Sequence, residues 1–358
     1  MMKKLSKKVI LGVLFLFLIT ACDSGTTHNA IPTIDLCGKV NKPSCDNLDQ
    51  NAWKVREIHF DVTDSTILSN FRVLKIKDDK VWVSDKISIY RFNADNGSCE
   101  SVFSRMGEGP EEYYSILTAG ITDTGDILIT DFNTQRLSMY KPDGTFITRS
   151  AVRLGDFTPL SGTVRAISFP GASPVGTLAY TLNERLEPVD SLLIGPDRET
   201  SKGFLTLLPL GLMDGKPCLQ MRDTIFNMET MSLSRPLVAL KTGHLHLPEE
   251  VEDDFNRRDE RAQYINGLFA LCWKSLVFVR YYYGENAYFD IWDAEKEKLM
   301  FRNKGPMAFG FPLKTEDGTT VNVWPQYSDK DSLIGIIPSD SDETGEEANP
   351  GVFVITSR

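Results

Sequence analysis

A strand pattern that returns after fewer than fifty residues constrains this chain more than any other feature. The run Val81–Asp85 (Val-Trp-Val-Ser-Asp) is matched by Ile127–Asp131 (Ile-Leu-Ile-Thr-Asp), 46 residues later. Each run is short, rich in β-forming side chains and bounded by turn-forming residues, as is typical of a β-strand. One unit of a few short strands buries too little apolar surface to be stable alone. The repeat therefore predicts several small sheets that pack against one another.

The stretch Asp123–Ser150 displays one such unit most clearly. Three apolar runs, Ile127–Asp131, Arg136–Tyr140 and Thr145–Thr148, are separated by residues that favour turns. In the second turn, Pro142 presets φ and the following Asp-Gly pair tolerates the chain reversal. The stretch therefore predicts three antiparallel strands.

The remaining length accommodates several further units. The 288 residues from Phe71 to Arg358 would give six units of about 48 residues, and seven stays open. Later strand patterns lie at 164–169, 176–180, 191–194, 218–221, 223–227, 237–240, 276–283, 287–293, 321–324 and 333–337.

Two segments between these strands have other patterns. Helical spacing of charges predicts a helical insertion at 248–263, and the acidic, apolar-poor stretch 339–350 predicts a loop.

The two ends of the repeat region carry strand patterns that suit each other. Glu57–Val62 alternates polar and apolar residues, and Val352–Thr356 is an apolar run at the C-terminus. Pairing them would remove an open sheet edge. We therefore predict an all-β, six-bladed β-propeller at 53–358, with four-stranded antiparallel blades and a ring closed by the N- and C-terminal strands.

The same region resembles a known family. The residues that carry the resemblance are Asp131, Asn133, Arg136-Leu137, Tyr140 and Pro142–Ile147, which look like a blade of NHL-repeat propellers, and Arg105–Tyr113, which is similar to an inter-blade loop. Such loops occur in six-bladed, TolB-like propeller lipoproteins of Gram-negative anaerobes. The resemblance implies a six-bladed propeller and leaves the ligand open.

The N-terminus predicts export and lipid attachment. Four lysines precede the apolar run Val9–Ile19, which is too short to span a bilayer and is typical of a signal peptide. Leu18–Cys22 resembles a bacterial lipobox, so we expect a signal peptide at 1–21 and acyl chains, such as palmitate, on Cys22. The polar stretch 22–52 then predicts a tether. The expected location is the bacterial outer membrane or periplasm, with the protein held on the membrane by its lipid.

The net charge narrows the classes of partner that the protein can bind. The net charge of −10 would become about −14 without residues 1–21, and an acidic surface disfavours nucleic acid as a partner.

Cys37 and Cys45 lie close together in an exported segment, which predicts a disulfide between them. The other cysteines, Cys99, Cys218 and Cys272, are expected to be small buried hydrophobic residues.

The sequence shows no catalytic motif: it lacks a phosphate-binding glycine loop, a zinc-binding helix and a nucleophile elbow. His244 and His246 would point to one face of a strand and are weak candidates for a metal site, because no third ligand follows at a recognisable spacing. A solvent-exposed histidine pair is the alternative interpretation.

One loop offers candidate binding residues. Arg105, Glu108, Tyr113 and Tyr114 lie in it, and Arg136 follows the next predicted strand. We take these five as the candidate binding residues. The alternatives are that the loop is only a Gly-Pro hinge between blades and that Arg136 pairs with Asp131 to set strand register. A separate aromatic group, Tyr281–Tyr283 with Trp292, could stack on a sugar or peptide.

These features favour a membrane-anchored propeller that binds a ligand or serves as a scaffold in the bacterial cell envelope. The ligand would be a glycan, a peptide or a protein partner, and no cofactor is expected. The alternative is a propeller enzyme, a metal-dependent lyase or lactonase with a divalent metal in the funnel, which rests on fold analogy alone. A structural spacer in a membrane assembly is a further hypothesis.

Overall fold

Strands account for most of the chain that the computed structural model describes. The described residues are 31–61, 68, 71–196, 210–252, 254–307, 310–315, 318–337 and 350–358. From Pro32 onward they belong to one unit, and their sheets have the arrangement of an all-β propeller, as the sequence predicts. The predicted signal peptide, Cys22 and most of the acidic loop at 339–350 lie outside the described residues.

The strands are numbered along the chain. Three lie in the N-terminal segment: β1 (Thr33–Asp35), β2 (Cys45–Asp46) and β3 (Trp53–His59). The next eight are β4 (Arg72–Lys77), β5 (Lys80–Ser84), β6 (Ile89–Asn93), β7 (Cys99–Phe103), β8 (Ile116–Ile121), β9 (Ile127–Asp131), β10 (Arg136–Tyr140) and β11 (Phe146–Leu160). Then come β12 (Thr163–Ser168), β13 (Thr177–Leu182), β14 (Pro188–Gly195), β15 (Leu210–Met213), β16 (Lys216–Met221), β17 (Thr224–Asn227) and β18 (Pro236–Lys241). The last eight are β19 (Asn266–Trp273), β20 (Leu276–Tyr283), β21 (Asn286–Asp293), β22 (Lys298–Gly305), β23 (Phe311–Lys314), β24 (Thr320–Ser328), β25 (Ser332–Ile337) and β26 (Gly351–Ser357).

Helices are few and short among the described residues. They are α1 (Leu36–Lys39), α2 (Glu249–Glu252) and α3 (Arg258–Arg261), with 3₁₀ turns at Gln50–Ala52, Gly243–Leu245 and Phe255–Arg257. The predicted helical insertion at 248–263 is confirmed: it consists of α2, the 3₁₀ turn at Phe255–Arg257 and α3.

The strands form five sheets. Their strand orders are β4-β5-β6-β7, β8-β9-β10-β11-β12-β13-β14, β15-β16-β17-β18-β1, β19-β20-β21-β22-β2 and β23-β24-β25-β26-β3. In the seven-stranded sheet, β11 pairs with two strands: residues 146–153 pair with β10, and residues 154–160 pair with β12. The tight turns follow the sequence prediction, because Gly125 and Gly144 adopt positive φ angles of 87° and 92°.

Apolar clusters join each sheet to the next. Phe60 stacks on Phe92 with ring centroids 4.2 Å apart, in a cluster where Val352 of the last sheet meets Val83 of the first. Further clusters join β6 and β7 to β9 and β10, and β12–β14 to β15 and β16. One large cluster joins the three sheets that contain β15–β26. The sheets therefore follow one another radially, and the last packs against the first.

The predicted pairing of the chain ends is confirmed. β3 and β26 are antiparallel neighbours along their whole lengths, from the pair His59 and Gly351 to the pair Trp53 and Ser357. The two termini of the repeat region thus share a sheet, which removes one exposed edge.

The described part of the predicted tether is folded, so the tether prediction is wrong for residues 32–52. β1 pairs in parallel with β18, and β2 pairs with β22. Ile34, Leu36 and Val40 are buried. The polar composition of the segment hid these three apolar side chains, which pack in one apolar cluster with residues of β18 and of β19–β22.

A buried arginine fixes the same segment. Arg302 of β22 contacts the Asp290 carboxylate through Nε (2.7 Å) and Nη2 (2.5 Å), and both side chains have no exposed surface. Arg302 Nη1 also donates to the carbonyl oxygen of Lys39 at 2.5 Å and to that of Lys42 at 3.3 Å. It therefore ties the turn that follows α1 to β22, and it is a second donor to the Lys39 carbonyl, which also accepts from the Lys42 amide at 2.9 Å.

Candidate binding face

Three loops next to β6, β8 and β10 form one surface. They are Asp85–Ser88, Arg105–Ser115 and Asp131–Gln135, and together we call them the loop face. The amide of Ile116, which follows the second loop, donates to the Lys86 carbonyl at 2.8 Å. The amide of Phe132 donates to the Ser115 carbonyl at 2.9 Å. The second loop is therefore bonded to both of the others.

The Asp131 carboxylate holds two of these loops together. It accepts hydrogen bonds from the amides of Tyr114 (2.9 Å), Ser115 (3.3 Å) and Thr134 (2.9 Å), and from the Thr134 hydroxyl (2.8 Å). Burial works to raise the pKa of Asp131, but these hydrogen bonds outweigh it and lower the pKa below its usual value. The carboxylate oxygens bind these four donors, so the pairing we expected with Arg136 is replaced by a loop anchor.

The Arg105–Ser115 loop is closed by its own hydrogen bonds. The Tyr113 amide donates to the Arg105 carbonyl at 3.1 Å, and the Gly107 amide donates to the Tyr113 carbonyl at 3.0 Å. The Gly109 amide donates to Glu112 Oε2 at 2.8 Å. A β-carbon on Gly107 would displace this carboxylate, so the hydrogen bond to Gly109 depends on glycine at position 107.

Tyr113 is a core residue, which corrects its assignment as a binding residue. Its side chain is 1% exposed and packs near the ring of Tyr140. Its hydroxyl donates to the Ile87 carbonyl at 2.6 Å and accepts from the Arg105 amide at 3.2 Å. Burial raises the pKa of Tyr113. Tyr113 therefore stabilises the loop instead of facing a ligand.

The loop face presents large apolar side chains to solvent. Tyr114 is 57% exposed, Phe132 53%, Met106 56% and Ile87 47%. They come from three separate loops, yet the hydrogen bonds described above fix the backbones that carry them. Large apolar side chains exposed on neighbouring, mutually bonded loops make this face a candidate interaction site.

The other predicted binding residues lie at or beside this face. Arg105 is half-buried, with Nη2 3.8 Å from the Glu111 carboxylate. Glu108 and Arg136 are exposed. The structure thus leaves Arg105, Glu108, Tyr114 and Arg136 accessible.

Sequence reasoning missed Arg149. From β11 it donates to the carbonyls of Pro110 (2.7 Å) and Glu112 (2.9 Å) and to the Ser138 hydroxyl (2.7 Å). It therefore pins the Arg105–Ser115 loop to the neighbouring strands. No local pattern reveals this role, because its partners are backbone carbonyls about 40 residues away in the chain.

The two histidines do not share a face. They lie in and directly after a 3₁₀ turn rather than in a strand, so the alternation we expected does not apply. His244 Nδ1 is 3.3 Å from the Cys37 sulfur, and His246 Nδ1 is 3.2 Å from the Thr242 hydroxyl. Within the described residues, no group of three His, Cys, Asp or Glu side chains is placed to hold a metal ion.

The predicted disulfide is not formed. Cys37 and Cys45 are both free thiols. Cys37 lies in α1 beside His244, whereas Cys45 lies in β2 opposite Arg302. The two cysteines thus lie in separate elements of the folded N-terminal segment.

Of the predicted aromatic group at Tyr281–Tyr283 and Trp292, Tyr281 and Trp292 are buried, so these two do not provide a stacking surface.

A carboxyl group lies where three of the strands meet. Asp156 Oδ2 accepts from the Leu210 amide of β15 at 3.1 Å, and Oδ1 accepts from the Thr118 hydroxyl of β8 at 3.3 Å. Burial raises the pKa of Asp156 to about 6, although these hydrogen bonds and the nearby Arg72 oppose the shift. Asp156 therefore links three strands through a carboxyl that is costly to ionise.

No helix among the described residues is long and apolar enough to cross a membrane. This finding concerns only the part of the chain described in the previous section.

Comparison with solved structures gives the fold. A putative exported protein from Bacteroides fragilis NCTC 9343 is similar with a TM-score of 0.65 and 13% identity, over 92% of this chain and 99% of that chain. A member of the duf4221 family from Bacteroides vulgatus ATCC 8482 has a TM-score of 0.47 and 9% identity, over 87% and 100%. The Nup133 β-propeller domain of Vanderwaltozyma polyspora has a TM-score of 0.43 and 12% identity, over 86% and 98%. At 13% identity, the likeness to the B. fragilis protein concerns the fold alone.

Comparison by sequence gives the family. No curated protein matches the chain. A family model described as a domain of unknown function, DUF4934, matches residues 31–350. This range begins close to β1 and ends at the start of β26, so it covers nearly all of the propeller. The chain therefore belongs to the DUF4934 family.

Proposed function

We propose that this protein is a lipid-anchored, six-bladed propeller of the bacterial cell envelope that binds a partner through the loop face. The exposed and rigidly held cluster of Ile87, Met106, Tyr114 and Phe132 is the observation that carries the proposal. The partner is a glycan, a peptide or a protein.

The pairing of β11 supports the count of six blades. Its first half completes a four-stranded unit with β8, β9 and β10, and its second half begins another with β12, β13 and β14. Counting this sheet as two blades and each of the other four sheets as one gives six. β1, β2 and β3 each add a fifth strand to one of the last three blades, so the prediction of four strands in every blade is wrong for these three.

The rigidity of the loop face supports binding over a purely structural role. A loop that is ordered before binding loses less conformational entropy when it engages a partner. Asp131 and Arg149 fix the loops by hydrogen bonds to their backbones. A surface that only spaced two assemblies apart would not need exposed aromatic side chains on such a frame.

The envelope location is supported in two ways. The N-terminal sequence up to Cys22 resembles a lipoprotein signal, and the B. fragilis protein of similar fold is described as exported. Labelling of expressing cells with a palmitate analogue tests the anchor. We expect Cys22→Ala to abolish incorporation, and incorporation that survives this substitution would refute it.

Affinity capture tests the loop face. The soluble domain from residue 31 onward, wild type and Tyr114→Ala/Phe132→Ala, is used as bait for envelope extracts and for a glycan array. A matched control replaces Leu193, which is 54% exposed on β14, with alanine. We expect the loop-face variant to lose the captured partner and the Leu193 variant to keep it. Equal capture by all three proteins would refute the proposed face.

A further inference from the structure

Two arginines face each other beside the loop face. Arg136 of β10 and Arg153 of β11 are partners in the antiparallel register, beside a β-bulge, and both are exposed. Side chains opposite each other across two strands lie close together, and two like charges in this position are destabilising. A bound anion would offset this repulsion.

The described residues do not provide a compensating carboxylate. Six other arginines each have a carboxylate partner: Arg56, Arg91, Arg105, Arg222, Arg257 and Arg302. Within the described ranges, neither Arg136 nor Arg153 is paired with an acid, although the chain carries an excess of acidic side chains. The pair therefore remains open to an anion from solution.

Arg153 is held in a fixed orientation. Its Nε donates to Gln135 Oε1 at 2.8 Å, its Nη2 contacts the same oxygen, and its guanidinium lies over the ring of Phe169 at 5.4 Å from the centroid. Gln135 in turn donates to the Phe132 carbonyl at 3.3 Å. Gln135 occupies the Nε–Nη2 edge of this guanidinium, so its Nη1 end is the part that faces a carboxylate, in an orientation fixed before binding. The guanidinium is also linked through Gln135 to the loop face.

We propose that Arg136 and Arg153 bind the carboxylate of an acidic saccharide whose sugar rings extend over the exposed rings of Phe132 and Tyr114. This inference rests on the proposed function, because it specifies the ligand of the loop face. The two guanidinium groups recognise the carboxylate, and the aromatic rings cover the apolar face of a sugar.

The backbone of the loop face favours a saccharide over an extended peptide. A peptide that adds a strand needs unpaired backbone groups on the receiving edge. Here the amides of Tyr114, Ser115, Phe132, Thr134 and Gln135 all donate within the protein. Recognition is therefore left to side chains. The net charge of −10 also opposes a dense polyanion, so an isolated uronic acid residue among neutral sugars fits best.

Calorimetric titration with two matched disaccharides tests the proposal. Cellobiouronic acid and cellobiose differ only in a carboxylate that replaces a hydroxymethyl group. We expect the wild-type domain to bind the acid roughly 10 to 100 times more tightly, as for a charged hydrogen-bonding partner. Arg136→Gln and Arg153→Gln should each remove most of this preference. Arg185→Gln, which removes an exposed charge at the β13–β14 turn, should not.

Several results would overturn the inference. They are equal affinity for the two disaccharides, no binding of either, an equal effect of Arg185→Gln, or tighter binding of a tripeptide with a free C-terminal carboxylate. Failure of this inference is distinct from failure of the proposed function. If the disaccharides fail but Tyr114→Ala/Phe132→Ala still abolishes capture of an envelope partner, the binding face stands and only its ligand class is wrong.

Discussion

Replacing Arg302 with methionine tests how the N-terminal segment is held. The substitution keeps much of the side-chain length and removes the charge. It leaves the Asp290 carboxylate buried without its charged partner and removes the hydrogen bonds that Arg302 donates to the carbonyls of Lys39 and Lys42. Burial works to lower the pKa of Arg302, but its contact with Asp290 raises it, so the residue is charged in the folded protein.

The expected loss of stability follows from breaking a buried ion pair. Removing one partner of such a pair typically costs about 3–5 kcal/mol, because the other charge remains uncompensated. We expect urea-induced unfolding of Arg302→Met to show a loss in this range. Replacing both partners, as Asp290→Leu with Arg302→Met, should recover much of it, since two apolar side chains leave no buried charge.

Limited trypsin digestion adds a local readout. Lys39 is a trypsin cleavage site, because Val40 follows it, and its carbonyl is one that Arg302 binds. We expect Arg302→Met to speed cleavage there before the domain unfolds. Arg165→Met is the control, because Arg165 also binds backbone carbonyls, those of Met228 and Glu229, but in another part of the domain. Wild-type stability together with wild-type protection at Lys39 would refute the reasoning.

Three further predictions concern other polar groups. Asp131→Ala should cost about 2–4 kcal/mol, since it removes the acceptor of several hydrogen bonds to a charged group, and should speed hydrogen exchange at the Tyr114 amide; unchanged exchange would contradict the anchor role. Because the folded pKa of Asp156 is raised to about 6, its contribution is fully present below the unfolded pKa of about 4 and is lost as the pH rises through about 6. The unfolding free energy should therefore fall over this range in wild type and much less in Asp156→Asn, whereas equal slopes would contradict the shift. Cys37 and Cys45 should both react with maleimide in denaturant without reductant; a peptide mass showing that they are linked would contradict the free thiols.

The strands could be predicted from the sequence, because the apolar residues of a strand and the turn residues that bound it lie in the same short segment. Ile127–Asp131 and Arg136–Tyr140 are short apolar runs between turn residues, and their register follows from tight turns such as that at Gly144. The pairing of β3 with β26 was also predictable, because a ring of sheets favours joining its two ends.

Long-range pairing set the limit of prediction. β1 pairs in parallel with a strand about 200 residues away, and nothing in its polar surroundings marks this contact. The charged residues Arg149, Arg153 and Asp156 interrupt the apolar pattern of β11 and hid a continuous strand of 15 residues. Arg149 holds the Arg105–Ser115 loop, Arg153 lies opposite Arg136, and Asp156 links three strands. These roles depend on tertiary contacts that the local pattern does not show.

The candidate site was predictable only in part for the same reason. Tyr113 and Tyr114 are adjacent and chemically alike, yet one is buried and the other exposed. Tertiary packing against Tyr140 decides between them. The proposed carboxylate site at Arg136 and Arg153 could not be predicted, because it depends on which residue lies opposite Arg136. Only the strand register provides this.

A disulfide across the chain ends tests the ring most directly. Lys54 of β3 lies opposite Thr356 of β26, within the usual reach of a disulfide. With both replaced by cysteine, we predict spontaneous cross-linking of the monomer. The closed loop is very long, so the cross-link should raise the unfolding free energy by about 3–5 kcal/mol. Failure to cross-link under oxidising conditions, or a cross-link that lowers stability, would contradict a propeller in which the two ends complete one sheet.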